Sequence, residues 1–179
     1  MKPFLYSIII VTGFIGVTYV TGQQILREGA NDPQVRVARS SALFLINGGN
    51  PDTIVSGDLV DLRKSLEMFT IITDESGKIK NSSLLLDGTT PTPPLGSLLY
   101  AKQKGENRIT WQPKDMIRAA IVIVPYKNTV TSGYVITGRS LSEIERRERA
   151  LLVIAELSWS IIVGFILILE FISRKKFKK

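Results

Sequence analysis

The sequence predicts an α+β domain held between two membrane helices. Two stretches, 3–22 and 150–172, are mostly apolar, and each reaches the roughly 20 residues that a helix needs to cross a bilayer. Between them, apolar residues first recur at helical spacing and then alternate in short runs separated by turn residues. Helices followed by several short strands are typical of helices packed on an antiparallel sheet.

The composition excludes most kinds of catalytic and metal site. The chain of 179 residues has no Cys and no His, so it lacks disulfides, thiolate ligands and the usual general base near neutral pH. It has no phosphate-binding glycine loop and no zinc motif. Ser–Lys chemistry or paired carboxylates stay open, but nothing places such residues together. We expect no enzyme activity, no cofactor and no metal.

The positive charge is concentrated beside the apolar stretches. The formal net charge is +7, and six of the 23 basic residues are Lys2 and the five in the tail 173–179. The positive-inside rule therefore predicts that both termini are cytoplasmic and that 23–149 lies outside. Arginines also flank the outer end of the second stretch, but glutamates interleave with them. Basic residues placed next to a membrane segment do not favour nucleic-acid binding.

The first apolar stretch predicts a membrane helix that is retained. Lys2 followed by an apolar run is also typical of a signal peptide, but Val20-Thr21-Gly22 is a poor cleavage site and the run exceeds a usual signal core. We expect transmembrane helix 1 at 3–22, continuing as helix to about Glu28.

Two helices are expected at the start of the domain. Asp32 is a good N-cap and Pro33 a good first residue, and the segment 48–51 ends this long helix. Its apolar stripe comprises Val35, Ala38, Ala42, Leu45 and Ile46. A short helix, capped by Asp58 or Ser56, should follow through Leu59, Leu62 and Leu66.

The rest of the domain predicts five strands and one helix. Residues 68–73 and 78–80 flank the acidic, glycine-ended turn 74–77 and predict a hairpin. A Pro/Thr-rich loop precedes a helix from Leu95 to Lys104, which Gly105 stops. Three strands follow, at 108–112, 117–126 and 133–138. We expect one antiparallel sheet with the helices gathered on one side of it.

The last 40 residues predict one uninterrupted helix. Ser140 is the expected cap, a Glu/Arg-rich turn follows, and 150–172 is transmembrane helix 2. The basic tail 173–179 then stops the helix at the cytoplasmic face.

Two motifs resemble a known family. The first is strand, acidic-glycine turn and returning strand over 69–79, and the second is the closing strand 133–138 followed by Gly-Arg-Ser-Leu and a charged helix. Both are similar to the PAS-like Cache domain that lies outside the membrane in bacterial sensor proteins, especially histidine kinases and chemoreceptors. The resemblance covers most of 23–172. The chain carries no kinase or methyl-accepting domain, so it is expected to signal through a partner, unless it is a truncated relative of a larger receptor.

The resemblance implies a ligand site against the central sheet, under the loop-and-helix segment. The candidate ligand-binding residues are Tyr100, Trp111, Arg118, Tyr126 and Tyr134. Aromatic walls with one cation suit a small carboxylate or other organic anion. In the alternative interpretation the aromatic residues fill the core and Arg118 is a solvated edge residue.

The two membrane segments carry candidate packing faces. Glu156, Ser160 and Gly164 are spaced four apart and share one helix face, and Thr12 and Gly16 have the same spacing. Small residues let helices approach closely, and an ionisable group in lipid turns towards a partner. The hypothesis is packing within the hairpin or between two copies. Alternatively, Glu156 snorkels to the interface.

The function expected from the sequence is that of a bacterial sensor at the cell membrane, of the kind found in two-component systems. It would bind a small molecule outside the cytoplasm and pass a helix movement to a second copy or to a separate membrane signalling protein. The alternative is an accessory subunit of an envelope complex that uses the domain for protein contact and binds no ligand.

Overall fold

The elements of the chain are seen in a computed structural model that describes residues 3–28, 32–55 and 57–176. The helices are α1 (Pro3–Glu28), α2 (Asp32–Ile46), α3 (Pro51–Ile54), α4 (Leu95–Lys104) and α5 (Ser142–Lys176). The strands are β1 (Val60–Asp61), β2 (Phe69–Asp74), β3 (Ile79–Ser82), β4 (Leu84–Leu85), β5 (Asn107–Lys114), β6 (Ile117–Lys127) and β7 (Ser132–Ser140). The chain divides into two compact units, Gly29–Glu143 and the helix pair formed by α1 with α5 from Ile144.

A five-stranded antiparallel sheet is the centre of the domain unit. Its strand order is β3-β2-β7-β6-β5, and β7 pairs with β2 on one side and with β6 on the other. The expected α+β class and the five-stranded antiparallel sheet are therefore confirmed.

The β2–β3 hairpin forms where the acidic-glycine turn predicts it. The Asp74 carboxylate accepts hydrogen bonds from the Ser76 hydroxyl and from the backbone N–H groups of Ser76 and Lys78. These bonds, the Ser76 hydroxyl first, hold the pKa of Asp74 below its usual value. Gly77 takes a φ of +84°, which favours glycine.

Helices cover both faces of the sheet, so the expectation that they gather on one side is wrong. On one face, α2 packs its residues Ala42 and Leu45 against Val135. On the other face, Leu98 of α4 packs against Ile121. The reason lies in 121–124 of β6, where apolar residues are continuous rather than alternating. Such a strand is apolar on both faces, and each face has to be covered.

The prediction of a short helix through Leu59, Leu62 and Leu66 is wrong, because the segment 57–66 contains β1 and a turn. Val60 and Leu62 are both buried, as in a strand, and β1 pairs in parallel with β4. The Asp61 side chain accepts from the Arg63 N–H and starts a turn there, which competes with a helix. Leu59 and Leu66 are exposed, and Ser56 lies outside the described residues.

The start of the domain agrees better with its prediction. Helix α2 spans Asp32–Ile46, and four of its five predicted stripe residues are buried, while Ile46 is exposed. The unpredicted helix α3 is capped by Asn50, whose side chain accepts from the Asp52 N–H.

The second unit consists of two helices that are long and apolar enough to cross a membrane. Helix α5 runs without a break from Ser142 to Lys176, as predicted, although it begins two residues after Ser140, the last residue of β7. The two helices are antiparallel, because Arg27 pairs with Glu148 at 2.6 Å while the Trp159 Nε1 donates to the Thr12 Oγ1 at 2.8 Å. These two long helices at the ends of the described chain fit a two-pass membrane protein.

Candidate ligand-binding site

The domain contains a cavity of about 240 Å³ at the end of the sheet where the central strand β7 begins and β6 ends. Strands β6 and β7, helix α4 and the β2–β3 turn contribute to its walls. The lining residues are Glu75, Lys102, Pro125, Tyr126, Lys127, Gly133 and Tyr134. Two lysines against one glutamate give the wall an excess of positive charge, so it favours an anion.

Tyr134 lines this cavity and carries a buried hydroxyl. Its side chain is only 1% exposed, and its partner in the β2–β7 register is Thr73, which is fully buried. Neither the Tyr134 hydroxyl nor the Thr73 hydroxyl has a hydrogen-bond partner among the described residues. A buried polar group without a partner costs about 1–3 kcal/mol. Of the two, Tyr134 lines the cavity, so a ligand or water that reaches its hydroxyl would be stabilised by a hydrogen bond.

Gly133 lets the chain approach closely beside Tyr134. A Cβ atom built on it would collide with the carbonyl oxygen of Thr73. Any other residue here would push β7 away from β2 and change the end of the cavity. The glycine is thus required by packing between strands rather than by a turn.

An ion pair joins α4 to the hairpin at the cavity wall. The Lys102 Nζ lies 2.9 Å from the Glu75 carboxylate. A hydrogen bond from the Ser132 hydroxyl, followed by the Lys102 ammonium, holds the pKa of Glu75 below its usual value. The hydrogen bond to Glu75 also raises the pKa of Lys102. Both groups are consequently charged at neutral pH.

Tyr126 forms another part of the wall as a neutral phenol. Its hydroxyl donates a long bond of 3.5 Å to the Thr73 carbonyl oxygen. Burial raises the pKa of Tyr126, so its hydroxyl stays protonated in the physiological range.

The structure brings together two of the five predicted ligand-binding residues, Tyr126 and Tyr134. Trp111 is buried in the apolar core on the α4 face of the sheet. Tyr100 is 51% exposed on α4, and Arg118 is exposed on β6. None of these three lines the cavity, and the ligand-binding role of the set stays a prediction.

Sequence reasoning missed the charged residues of the cavity. Glu75 belongs to a turn, Lys102 to the last turn of a helix and Lys127 to the end of a strand. Each is an ordinary surface position by local pattern, and only the folded sheet brings them to one cavity. Gly133 carried a weak signal, since a glycine at the start of an apolar strand often marks a close backbone approach.

The helix pair brings together four of the five residues predicted for membrane packing. Thr12, Gly16, Glu156 and Ser160 line one groove of about 540 Å³ between α1 and α5. Gly164 is not part of it, and a Cβ on either Gly16 or Gly164 would meet nothing within 4 Å. The tight contact involves Gly22, where a Cβ would lie 3.0 Å from the Leu151 side chain.

No cluster of three or more His, Cys, Asp or Glu side chains that could hold a metal ion occurs in the described parts of the chain. A scan against protein-family models finds no match to the chain, and a search of curated protein sequences finds none either.

Proposed function

We propose that the chain is a two-pass membrane protein whose PAS-like domain lies outside the cytoplasm, binds a small organic anion and relays a helix movement to a signalling partner. The supporting observation is that Tyr134, whose buried hydroxyl has no hydrogen-bond partner among the described residues, lines a cavity together with two lysines. The apolar helices α1 and α5 support the membrane placement.

The cavity limits the size and charge of the ligand. A volume of about 240 Å³ corresponds to roughly eight water molecules at their liquid volume, so the ligand is a small metabolite. Its carboxylate would accept hydrogen bonds from Lys102 or Lys127 and from the Tyr134 hydroxyl. Its apolar part would lie against the rings of Tyr126 and Tyr134.

The path to the membrane is short along the chain. Tyr134 lies on β7, which ends at Ser140, and α5 begins at Ser142. A ligand that binds two states of β7 and α4 with different affinity shifts the balance between them, and only this difference can drive a movement. The Glu75–Lys102 pair joins α4 to the hairpin, so its breaking would distinguish the two states.

Thermal unfolding of the full chain in detergent micelles tests ligand binding. The probes are mono- and dicarboxylates of about two to six carbons. One that fits should raise the Tm, because at 100 times its Kd it increases the free energy of unfolding by about 2.7 kcal/mol. Tyr134→Phe should weaken the affinity by about tenfold or more, which at the same ligand concentration removes about half of that stabilisation. Without ligand it should leave the chain equally or more stable, because it removes a buried group that lacks a partner.

Tyr126→Phe is the matched control, because its hydroxyl already contacts the Thr73 carbonyl. It should alter the response to carboxylates much less than Tyr134→Phe. If no carboxylate raises the Tm, or if both variants respond like the unmodified chain, the anion-binding proposal is wrong.

A specific surface favours the alternative function of an accessory subunit. Leu95, Leu99 and Tyr100 are about half exposed on α4, and this apolar surface suits a protein contact. Leu99→Asp separates the two functions: it should abolish association with an envelope complex if the alternative holds, and should leave carboxylate binding unchanged if the sensor proposal holds.

A further inference from the structure

The groove between α1 and α5 combines an apolar wall with one carboxylate. Its walls include Gly16 and Tyr19 of α1 and Glu156 and Ser160 of α5. The helices approach closely at Gly22 and Leu151 but leave this space open one to two turns further along. An open space of about 540 Å³ in a helix pair can receive side chains from another helix.

Glu156 has no counter-charge among the described residues of the helix pair. Its side chain is exposed, and it forms no ion pair or hydrogen bond with a described residue. It lies five residues after Leu151, about 8 Å along the helix at 1.5 Å per residue, and apolar residues flank it on both sides. A carboxylate in such a position is unfavourable unless it pairs with a cation or a hydrogen-bond donor.

We propose that this groove docks a transmembrane helix of another protein, and that this helix carries a Lys or Arg at the depth of Glu156. A second copy of the chain cannot supply the cation, because neither 3–26 nor 150–173 contains a Lys or Arg. A heterologous helix with one basic residue would neutralise Glu156 and fill the groove. The inference depends on the membrane placement of the helix pair but not on ligand binding by the domain.

Photo-crosslinking of the full chain in phosphatidylcholine vesicles tests the inference. A benzoylphenylalanine replaces Leu152, which lines the groove, or Ile154, which lies on the opposite side of α5 and is exposed. The probes are two leucine-rich transmembrane peptides that differ only in having Lys or Leu five residues from one end. The crosslinked fraction is measured on a denaturing gel.

The groove position should capture the Lys peptide about ten times more than the Leu peptide, and the Ile154 position should show no preference. Glu156→Gln should remove the preference, while circular dichroism confirms that the helices remain. Equal capture of both peptides, or a preference that survives Glu156→Gln, would overturn the inference. A dominant adduct between two chains would instead assign the groove to a second copy, and a lipid adduct that forms at Leu152 but not at Ile154 would assign it to a lipid.

Discussion

Gly133 is the single residue on which the geometry of the cavity depends most directly. A Cβ there would meet the Thr73 backbone, with its carbonyl carbon at 2.9 Å and the Asp74 Cα at 3.0 Å. Backbone atoms cannot rotate away as a side-chain tip can. We therefore predict that Gly133→Ala destabilises the chain by about 1–3 kcal/mol, the usual cost of overpacking, and weakens carboxylate binding as well.

Gly96→Ala is the matched control at the residue scale. Gly96 lies in α4, and a Cβ there would meet nothing within 4 Å. Alanine is the better helix former by up to about 1 kcal/mol, so this variant should be as stable as the unmodified chain or more so. Urea unfolding of the full chain in micelles measures the stability of both variants, Gly133→Ala and Gly96→Ala. Equal stability of the two variants would contradict the close approach of β7 to β2.

At the scale of elements, a group of three charges links α2 to β5. The Glu106 carboxylate lies 2.7 Å from the Arg39 Nε and 2.6 Å from the Arg108 Nε. Burial acts to raise its pKa, but hydrogen bonds from Arg39 and Arg108 outweigh burial and hold the pKa below its usual value. Because Glu106 releases its proton more readily in the folded state, its contribution is present near pH 7 and is lost as the pH falls through the lowered pKa.

Glu106→Gln should therefore destabilise the chain at pH 7 and make no difference in acid. The expected loss at pH 7 is about 1 kcal/mol, since Arg39 and Arg108 are half exposed and solvent screens the pair. At about pH 3 or below, the Tm values of the variant and the unmodified chain should converge. The control variant Glu67→Gln, at an exposed position, should leave the Tm unchanged at both pH values. A constant difference at both pH values would show that the effect is not ionic.

The elements that the sequence predicted well are those with local stop and turn signals. Gly105, in the left-handed conformation, ends α4 at the predicted residue, and the Asp74 side chain sets the hairpin. The sequence could not predict β1, because a two-residue strand owes its existence to pairing with β4 across more than 20 residues. The ionic part of the candidate site was missed for the same reason: Glu75 and Lys102 meet only after α4 packs on the sheet.

Substitutions of Gly22 and of Gly164 should have different effects on the helix pair. A Cβ on Gly22 would press on Leu151, whereas one on Gly164 would meet nothing within 4 Å. Gly22→Ile should separate α1 from α5, and Gly164→Ile should leave their distance unchanged. Spin labels on cysteines at Ile10 and Ile161, two exposed positions, report that distance by pulsed electron resonance. A change in distance caused only by Gly164→Ile would mean that Gly164, and not Gly22, lies where the two helices are in close contact.

A chain labelled at one position alone reports on contacts between copies. If Gly164 joins two chains, as the sequence hypothesis allows, labels at Ile161 should show an intermolecular distance that Gly164→Ile removes. If no intermolecular distance is seen, Gly164 faces lipid rather than a second copy.

At the scale of the whole molecule, the connection of β7 to α5 matters only if the domain and the tail lie on opposite sides of a bilayer. The proposed signal leaves the cavity through Tyr134 on β7 and enters the membrane along α5, which begins two residues after β7 ends. The basic tail favours the cytoplasm. A domain on that same side would leave α5 nothing to transmit across the lipid.

The absence of native cysteines makes this arrangement directly measurable. One labelling variant, Val130→Cys, has its cysteine in the domain at an 87% exposed position. The other, Lys179→Cys, has its cysteine in the tail. In intact bacterial cells whose outer layers admit a maleimide that cannot cross the inner membrane, Val130→Cys should be labelled at once and Lys179→Cys only after permeabilisation. Both positions reacting together before permeabilisation would place the domain and the tail on the same side, and would remove the physical basis for relay through α5.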